Sequence, residues 1–447
     1  MRRIHFFYLL VFLLFTTGFG VENLTLQQCF DLALANNPSL EIARIDVLLA
    51  REDGKQAGQE KLPALNFSGS YRRQSEVPEI EIPPIETPFG QTFTLFPDGG
   101  VTLGSLDTYD FNITLSQPVF TGFRLSNRQK SALALEDNKQ SDYDRKKNEL
   151  LYNVETAYRN LQKTVKILAI TRAGQKQVEL HLKDVRNFYE QGLARKDDVL
   201  KVEVKFKEAE LAILQAQNAV DLAGVYLENL TGLPVPKNVT LQAVEIPQPE
   251  AVDHDETLSR AYSQRLELKS LQSLKTALGF AEKIARGEYL PTVAVYASYA
   301  YGKPGLNFVQ DEWMKYWVAG VGLEWNLWNW GKTGSRSQQA KLKVRSVEEN
   351  IAQIRQAVKL DVNQACLRVN EVKKRLELTG QIESQAEETY RIMENNYKNG
   401  VVSNSEFLDS QFDLTRARLQ HTQAEIDYLI SLANLKRADG SPFQPVE

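Results

Sequence analysis

The sequence predicts a mainly α-helical chain with a small β part, built as two internal repeats. Three observations predict it. Tyr189–Leu211 recurs 208 positions later as Tyr397–Leu419, placing Tyr189 on Tyr397, Gly192 on Gly400, Asp198 on Glu406, Leu200 on Leu408 and Leu211 on Leu419. A fixed-period match of this kind marks a duplicated structural unit. Gly122–Gln191 contains no proline, and about seventy residues of helix reach roughly 105 Å, a coiled-coil length. Four short segments alternate apolar and polar residues with period two, as half-buried strands do.

The elements follow in order. Met1–Gly20 has the layout of a secretory leader: Arg2 and Arg3, an apolar run from Phe6 to Phe15, then Gly18 and Gly20. The run is too short for a comfortable membrane span. Leu24–Leu62 is helical, with Leu26, Phe30, Ala33 and Leu34, then Leu40, Ala43 and Val47, at three-to-four spacing. Asn37-Pro38 starts a second helix within it, and Leu62-Pro63 ends the run, because a residue before proline is pushed out of the α region. Leu65–Arg72 and Tyr109–Ser116 alternate strictly, separated by the polar excursion Glu76–Leu106. The long helix up to Gln191 turns at Gly192, and Asp197–Leu230 returns with Val204, Leu211, Asn218 and Val225 in heptad spacing.

The second half repeats this order. Glu256–Leu290 is helical, and at an offset of 228 Leu268-to-Pro291 overlays Leu40-to-Pro63. Pro291–Tyr301 and Tyr316–Leu327 are strands, Gly331–Asn399 is the second long helix, Gly400 its turn and Ser403–Ala438 the return, with Phe412, Leu419 and Ile426 heptad-spaced. The domain reading is therefore 1–20 leader, 21–233 first repeat, 234–253 linker, 254–439 second repeat and 440–447 tail. Each return helix covers about half of the long helix beside it, and the helix before the strands supplies most of the rest. Stacked end to end, they predict a rod with strands at one end and glycine turns at the other.

Composition excludes several functions. The net charge of −4 becomes −6 without Arg2 and Arg3, and no basic patch with interleaved aromatics points to nucleic acid. Cys29 and Cys366, the only two cysteines, lie on apolar helical faces and read as small buried hydrophobes. The four histidines and three methionines are scattered without metal-ligand spacing. No nucleophile–base pair or Gly-rich phosphate loop beside a strand suggests an enzyme, and no cofactor is expected.

The strands carry the functional argument. Leu65, Phe67 and Tyr71; Tyr109, Phe111, Ile113 and Leu115; Val293, Val295 and Tyr299; and Trp317, Val321, Leu323 and Trp325 each form one apolar face. A soluble half-buried sheet would show the same alternation. However, the helices have their own seams, so no second apolar layer remains to cover a sheet. Aromatics also gather near strand ends (Tyr109, Tyr301, Trp313, Trp317 and Trp325), as membrane-interface girdles do. Four strands cannot close in lipid, where each unpaired backbone group costs several kcal/mol. Two, three or four copies are therefore needed to complete a barrel.

The repeat, the opening LTLQQCFDLALANNPSL, the strand-to-helix signatures Gln117–Gly122 and Trp328–Gly331, and the doubled glycine-turn-acid motif together resemble the TolC-like outer membrane efflux proteins. The resemblance spans nearly the whole mature chain. It implies a homotrimer with a twelve-stranded outer-membrane barrel continued by a periplasmic α-helical coiled-coil tunnel. It also implies passive export of substrates handed over by a periplasmic adaptor and an inner-membrane pump. Glu406 and Asp409 match the family's acidic constriction, three apart and so on one helical face; six carboxylates round one axis would attract cations and raise one another's pKa. Asp198 and Tyr397 match a tip latch. Its basic partner is replaced here by Val402, with Arg195 and Lys196 as substitute cations. The turns Gly192-Leu193 and Gly400-Val401 correspond to the adaptor-docking surface, while Leu200 and Leu408 are expected to pack within the hairpin. The alternative is a periplasmic or surface coiled-coil scaffold without a channel.

Overall fold

The computed structural model describes residues 23–81, 83–86, 88–93, 100–234, 240–247, 252–307 and 309–443. The leader 1–20 lies outside the described residues, as do parts of the 234–253 linker and of the 440–447 tail. The first half runs β1 (Asn23–Leu24), α1 (Leu26–Asn36), α2 (Pro38–Gln59), β2 (Ala64–Arg73), β3 (Glu79–Glu81), β4 (Ile85–Glu86), β5 (Thr92–Phe93), β6 (Gly100–Thr102), β7 (Asp107–Phe120), α3 (Arg124–Glu190) and α4 (Lys196–Thr231). The second runs β8 (Thr240–Leu241), α5 (His254–Gln264), α6 (Leu266–Gly287), β9 (Thr292–Lys303), β10 (Met314–Glu324), α7 (Lys332–Lys398) and α8 (Asn404–Ala438). The long helices α3 and α7 both contain 67 residues, about 100 Å each.

The chain divides into two compact units, and each repeat contributes to both. One unit comprises Val47–Lys139 and Leu271–Asn350. Its centre is a four-stranded antiparallel sheet in the order β10-β9-β7-β2. The register puts all the alternating apolar residues on one face. Leu65, Leu115, Ala297 and Ala319 form one row, and Phe67, Ile113, Tyr299 and Trp317 the next. Between these rows, on the other face, lie Asn66, Thr114 and Ser298 with Val318; the Thr114 and Ser298 hydroxyls meet at 3.2 Å, and Ser298 bonds Asn112 of the neighbouring row. Since a one-residue slip would send every apolar side chain to the other face, this agreement of four strands fixes the register. Among the described residues nothing covers the apolar face: Phe67 is 70% exposed and Trp317 75%.

The structure extends the sequence reading of this unit at two places. Strand β7 does not stop at Ser116 but continues through Pro118 to Phe120, with a register break between those two residues. Proline cannot donate to the ladder, so the pairing skips a position there. The excursion Glu76–Leu106, read from sequence only as polar, holds two further pairs: β3 with β6 and, inside it, β4 with β5. These strands are two or three residues long, too short for period two to show in sequence.

The other unit comprises the chain to Asp46, Gln140–Ser270 and Ile351 onward. Its largest core gathers Cys29, Phe30 and Ala33 of α1, Leu151, Val154, Tyr158 and Leu161 of α3, and Leu227 of α4. A second core, built the same way in the second repeat, joins Ala261 of α5 to Val358, Val362 and Cys366 of α7. Both cysteines are free and buried, and burial pushes the Cys29 thiol up to about 12. Buried Tyr158 donates to Leu24 O (2.8 Å) and accepts from Gln242 N–H (3.2 Å), so it fastens the parallel β1–β8 pair to α3. Replacing Tyr158 with Phe leaves that carbonyl and N–H unsatisfied. We expect it to lower stability by about 1–3 kcal/mol, read as an earlier thermal transition in detergent; an unchanged transition would contradict this role.

The stretch Glu256–Leu290, expected as one helix, is two. The chain leaves the helical conformation at Arg265, whose ψ is 124°. At the 228-residue offset this position matches Asn37, where Pro38 explains the break in the first repeat. Here a side chain takes that part: the mostly buried Arg265 guanidinium bonds Glu267 and Asp361, each at 2.9 Å. Sequence carried no signal of this, because the carboxylate at 361 is distant in the chain.

The two return helices differ in their cover. Ile426 of α8 is fully buried and Phe412 and Leu419 half-buried. The equivalent heptad run of α4 faces outward, with Val204, Leu211 and Val225 each more than half exposed.

Candidate functional site

The two glycine turns share one hydrogen-bond pattern. Gly192 (φ 76°) donates to Tyr189 O and Leu193 N–H to Phe188 O; Gly400 (φ 70°) donates to Tyr397 O and Val401 N–H to Asn396 O. These paired bonds close the last carbonyls of α3 and α7, and they need the left-handed residue that glycine supplies. Six residues after each glycine, the motif's acid caps the return helix by reaching back to the N-cap residue three positions before it. Asp198 accepts from Arg195 N–H at 3.3 Å. Glu406 accepts from Ser403 N–H and Ser403 Oγ, both at 2.8 Å, while Glu406 N–H donates back to Ser403 Oγ. That is a full capping box.

The two acids of the expected constriction therefore differ in state. The backbone N–H of Ser403, and then its hydroxyl, hold the exposed Glu406 carboxyl below the usual carboxylate range. Asp409, one turn on and also exposed, lines a groove beside Asp197, Lys201 and Lys205 of α4. Lys201 lies 3.3 Å from Asp197, and Lys205 lies over the Phe412 ring.

The latch residues are brought close without a hydrogen bond between them. Burial, and then the charges of Asp198 and Asp184, push the Tyr397 phenol above its ordinary value. Arg195 serves the cap through its backbone N–H. Leu408 is buried against Val178, Leu182, Val185 and Val202, whereas Leu200, expected to pack within the hairpin, is half exposed. The exposed turn residues Leu193 and Val401 are both more than 70% accessible.

Sequence reasoning missed the group that ties the second turn down. His181 of α3 is 4% exposed. Its ring meets Tyr397 at 5.2 Å and Phe407 at 5.0 Å, and its Nε2–H donates to Asn404 Oδ1 at 2.6 Å. Tyr397 in turn stacks on Phe407 at 4.9 Å. The available signal was a histidine on the same helical face as Val178, Leu182 and Val185. Among the described residues, no cluster of three or more His, Cys, Asp or Glu is placed to hold a metal.

In the sheet unit, the strand-end aromatics sort into two groups. Trp313 stacks on Tyr301 at 4.7 Å and lies 5.5 Å from Tyr109, itself 5.0 Å from Tyr71. All four sit at the end joined by loops. Trp317 follows within the apolar face. Trp325 is at the opposite end, its indole N–H donating to Tyr289 O at 3.0 Å, near the mutually packed Trp328 and Trp330.

Residues 29–233 and 257–441 match the family model described as outer membrane efflux protein. The chain belongs to that family. Both matched segments contain one strand pair of the four-stranded sheet and one helical hairpin, so the family pattern follows the repeat. Among curated relatives, the outer membrane efflux chain is 20% identical to outer membrane protein TolC of Escherichia coli, over 93% of this chain and 82% of that one. It is 21% identical to the alkaline protease secretion protein AprF of Pseudomonas aeruginosa, over 74% and 69%. Its fold is that of the Campylobacter jejuni CmeC outer membrane channel (TM-score 0.77, 16% identity, 94% of this chain and 87% of that). The open-state MtrE outer membrane channel of Neisseria gonorrhoeae is similar as well (TM-score 0.74, 18% identity, 93% and 88%). As a family member the chain is an outer-membrane exit duct with a periplasmic helical portion. No described helix is long and apolar enough to cross a membrane.

Proposed function

We propose that three copies form a twelve-stranded barrel in outer-membrane lipid and a helical tunnel beneath it, passively passing substrates received from a periplasmic adaptor and an inner-membrane pump. The observation that carries this reading is the amphipathic four-stranded sheet, whose apolar face is uncovered and whose outer strands β2 and β10 each have one unpaired edge among the described residues. In lipid such edges must pair, and head-to-tail pairing of β10 with β2 of the next copy closes a ring. Tyr109, Tyr301 and Trp313 are the anchors at one bilayer face and Trp325 at the other, with Trp317 between them. Glu406 and Asp409 form the constriction, Asp198 and Tyr397 belong to its latch, and the turns at Gly192-Leu193 and Gly400-Val401 meet the adaptor. The test is fractionation: the protein should extract from outer membranes only with detergent and run as a heat-modifiable trimer. A chain that stays monomeric and monodisperse without amphiphile would end this reading.

The same assembly covers the helical stripes. Leu211, Leu222 and Val225 of α4 and Leu360, Leu367 and Leu378 of α7 are all exposed in one chain. In a cyclic trimer these two unlike stripes form one heterologous contact between neighbours. Changing Leu211 and Leu222 together to Glu should reduce the detergent-stable trimer by at least about tenfold, since two buried leucines contribute roughly 3–6 kcal/mol per contact. Unchanged trimer would place the contact elsewhere.

A further inference from the structure

The acid-and-glycine motif explains how the second turn is shaped but not what holds it against the rest of the chain, because Val402 stands at the position expected for the latch's basic partner. We propose that His181 is a proton-sensitive clasp: its uncharged imidazole, wedged between Tyr397 and Phe407 and bonded to Asn404, ties the second turn to α3, and protonation releases it. This deepens the reading of the tip as a constriction and rests on it for the effect on ion flow.

The geometry is specific. Three helices supply the site: α3 gives the imidazole, α7 Tyr397 and α8 both Phe407 and Asn404. Tyr390 adds a further ring 5.9 Å from Phe407. Phe407 and Asn404 flank Glu406, so whatever fixes them fixes the start of the helix carrying both constriction acids. The cage has no acceptor to spare for a further donor: Asn404 Nδ2 is itself buried without a hydrogen-bond partner among the described residues. The titratable groups around it are Asp184 on α3, Asp198 on α4, Tyr390, Tyr397 and Lys398 on α7, and Glu406 beside Phe407 on α8. Burial dominates over the Asn404 bond and the Asp184 charge, and it holds the imidazole below its ordinary value. A released turn exposes His181 to water and restores that value, about 6.5. The released state then binds more protons than the clasped one, so the clasp is at full strength above about pH 6.5 and weakens as pH falls through and below it.

The experiment uses the full-length trimer carrying Val401→Cys with a spin label, the two native thiols being buried. Distances between labels on the three copies, and conductance in planar bilayers, are read at about pH 7.5 and about pH 5.5. In the otherwise unaltered chain the distances should lengthen and broaden on acidification, and conductance should rise at least about twofold. His181→Gln keeps a donor for Asn404 but takes no proton, so both readouts should stay at their neutral-pH values. Asn404→Asp gives an imidazolium a carboxylate partner, and that variant too should stay clasped in acid. Distances that do not move in the unaltered chain, or move equally with His181→Gln or Asn404→Asp, overturn the clasp. Distances that move as stated while conductance does not keep the clasp and remove the constriction reading.

Discussion

Gly122→Ala should prevent stable assembly, while Gly331→Ala, in the strand-to-helix turn of the second repeat one position out of register with it, should not. Both glycines end a strand pair and start a long helix, with φ of 62° and 78°. Each substitution therefore carries the same left-handed backbone cost, about 1–2 kcal/mol. The surroundings differ. A Cβ on Gly122 would stand 2.5 Å from Gly287 O and 3.0 Å from Leu290 Cβ, whereas one on Gly331 meets nothing within 4 Å among the described residues. The contact is reciprocal, since a Cβ on Gly287 would lie 2.5 Å from Gly122 O. Backbone cannot step aside as a flexible side chain does, so overpacking adds about 1–3 kcal/mol. The expected loss is about 2–5 kcal/mol at Gly122, against about 1–2 kcal/mol at Gly331. Heat-modifiable trimer yield and the thermal transition in detergent measure it. Equal effects at the two positions would show that backbone conformation alone sets the cost.

Replacing Asp409 and Glu406 together with Ala should raise single-channel conductance and weaken block by multivalent cations, on the order of tenfold in blocking concentration. The single variants should not be equal. Glu406 spends its carboxylate on the Ser403 cap, so Glu406→Gln should change block little, while Glu406→Ala also costs about 1 kcal/mol of helix capping. The Asp409 carboxylate has no such duty and should dominate block. Conductance and block unchanged in the double variant would remove both residues from the constriction.

Much of the architecture could be read from residue order. Alternation in Leu65–Arg72 and Tyr109–Ser116 gave the strands and their faces, because a period of two admits one inward set and the pairing register must respect it. The turns at Gly192 and Gly400 were legible because a left-handed residue and a following acid are local requirements of a helix end. The functional site was only partly legible. Glu406 and Asp409 stood out by position, but their unequal commitments depend on Ser403 and on α4.

What the sequence determined by itself was whatever depends on neighbours within a few residues: two repeats, two long hairpins, four amphipathic strands and too few of them to close alone. Tertiary structure decided the rest. Arg265 breaks a helix because Asp361 waits for it, the α4 stripe faces outward while that of α8 is covered, and His181 closes on residues more than two hundred positions away. Pattern reports which side chains prefer to leave water, since that preference is local to each residue. Which partner they meet is a property of the folded chain, where burial and charge are set by groups that the linear order keeps apart.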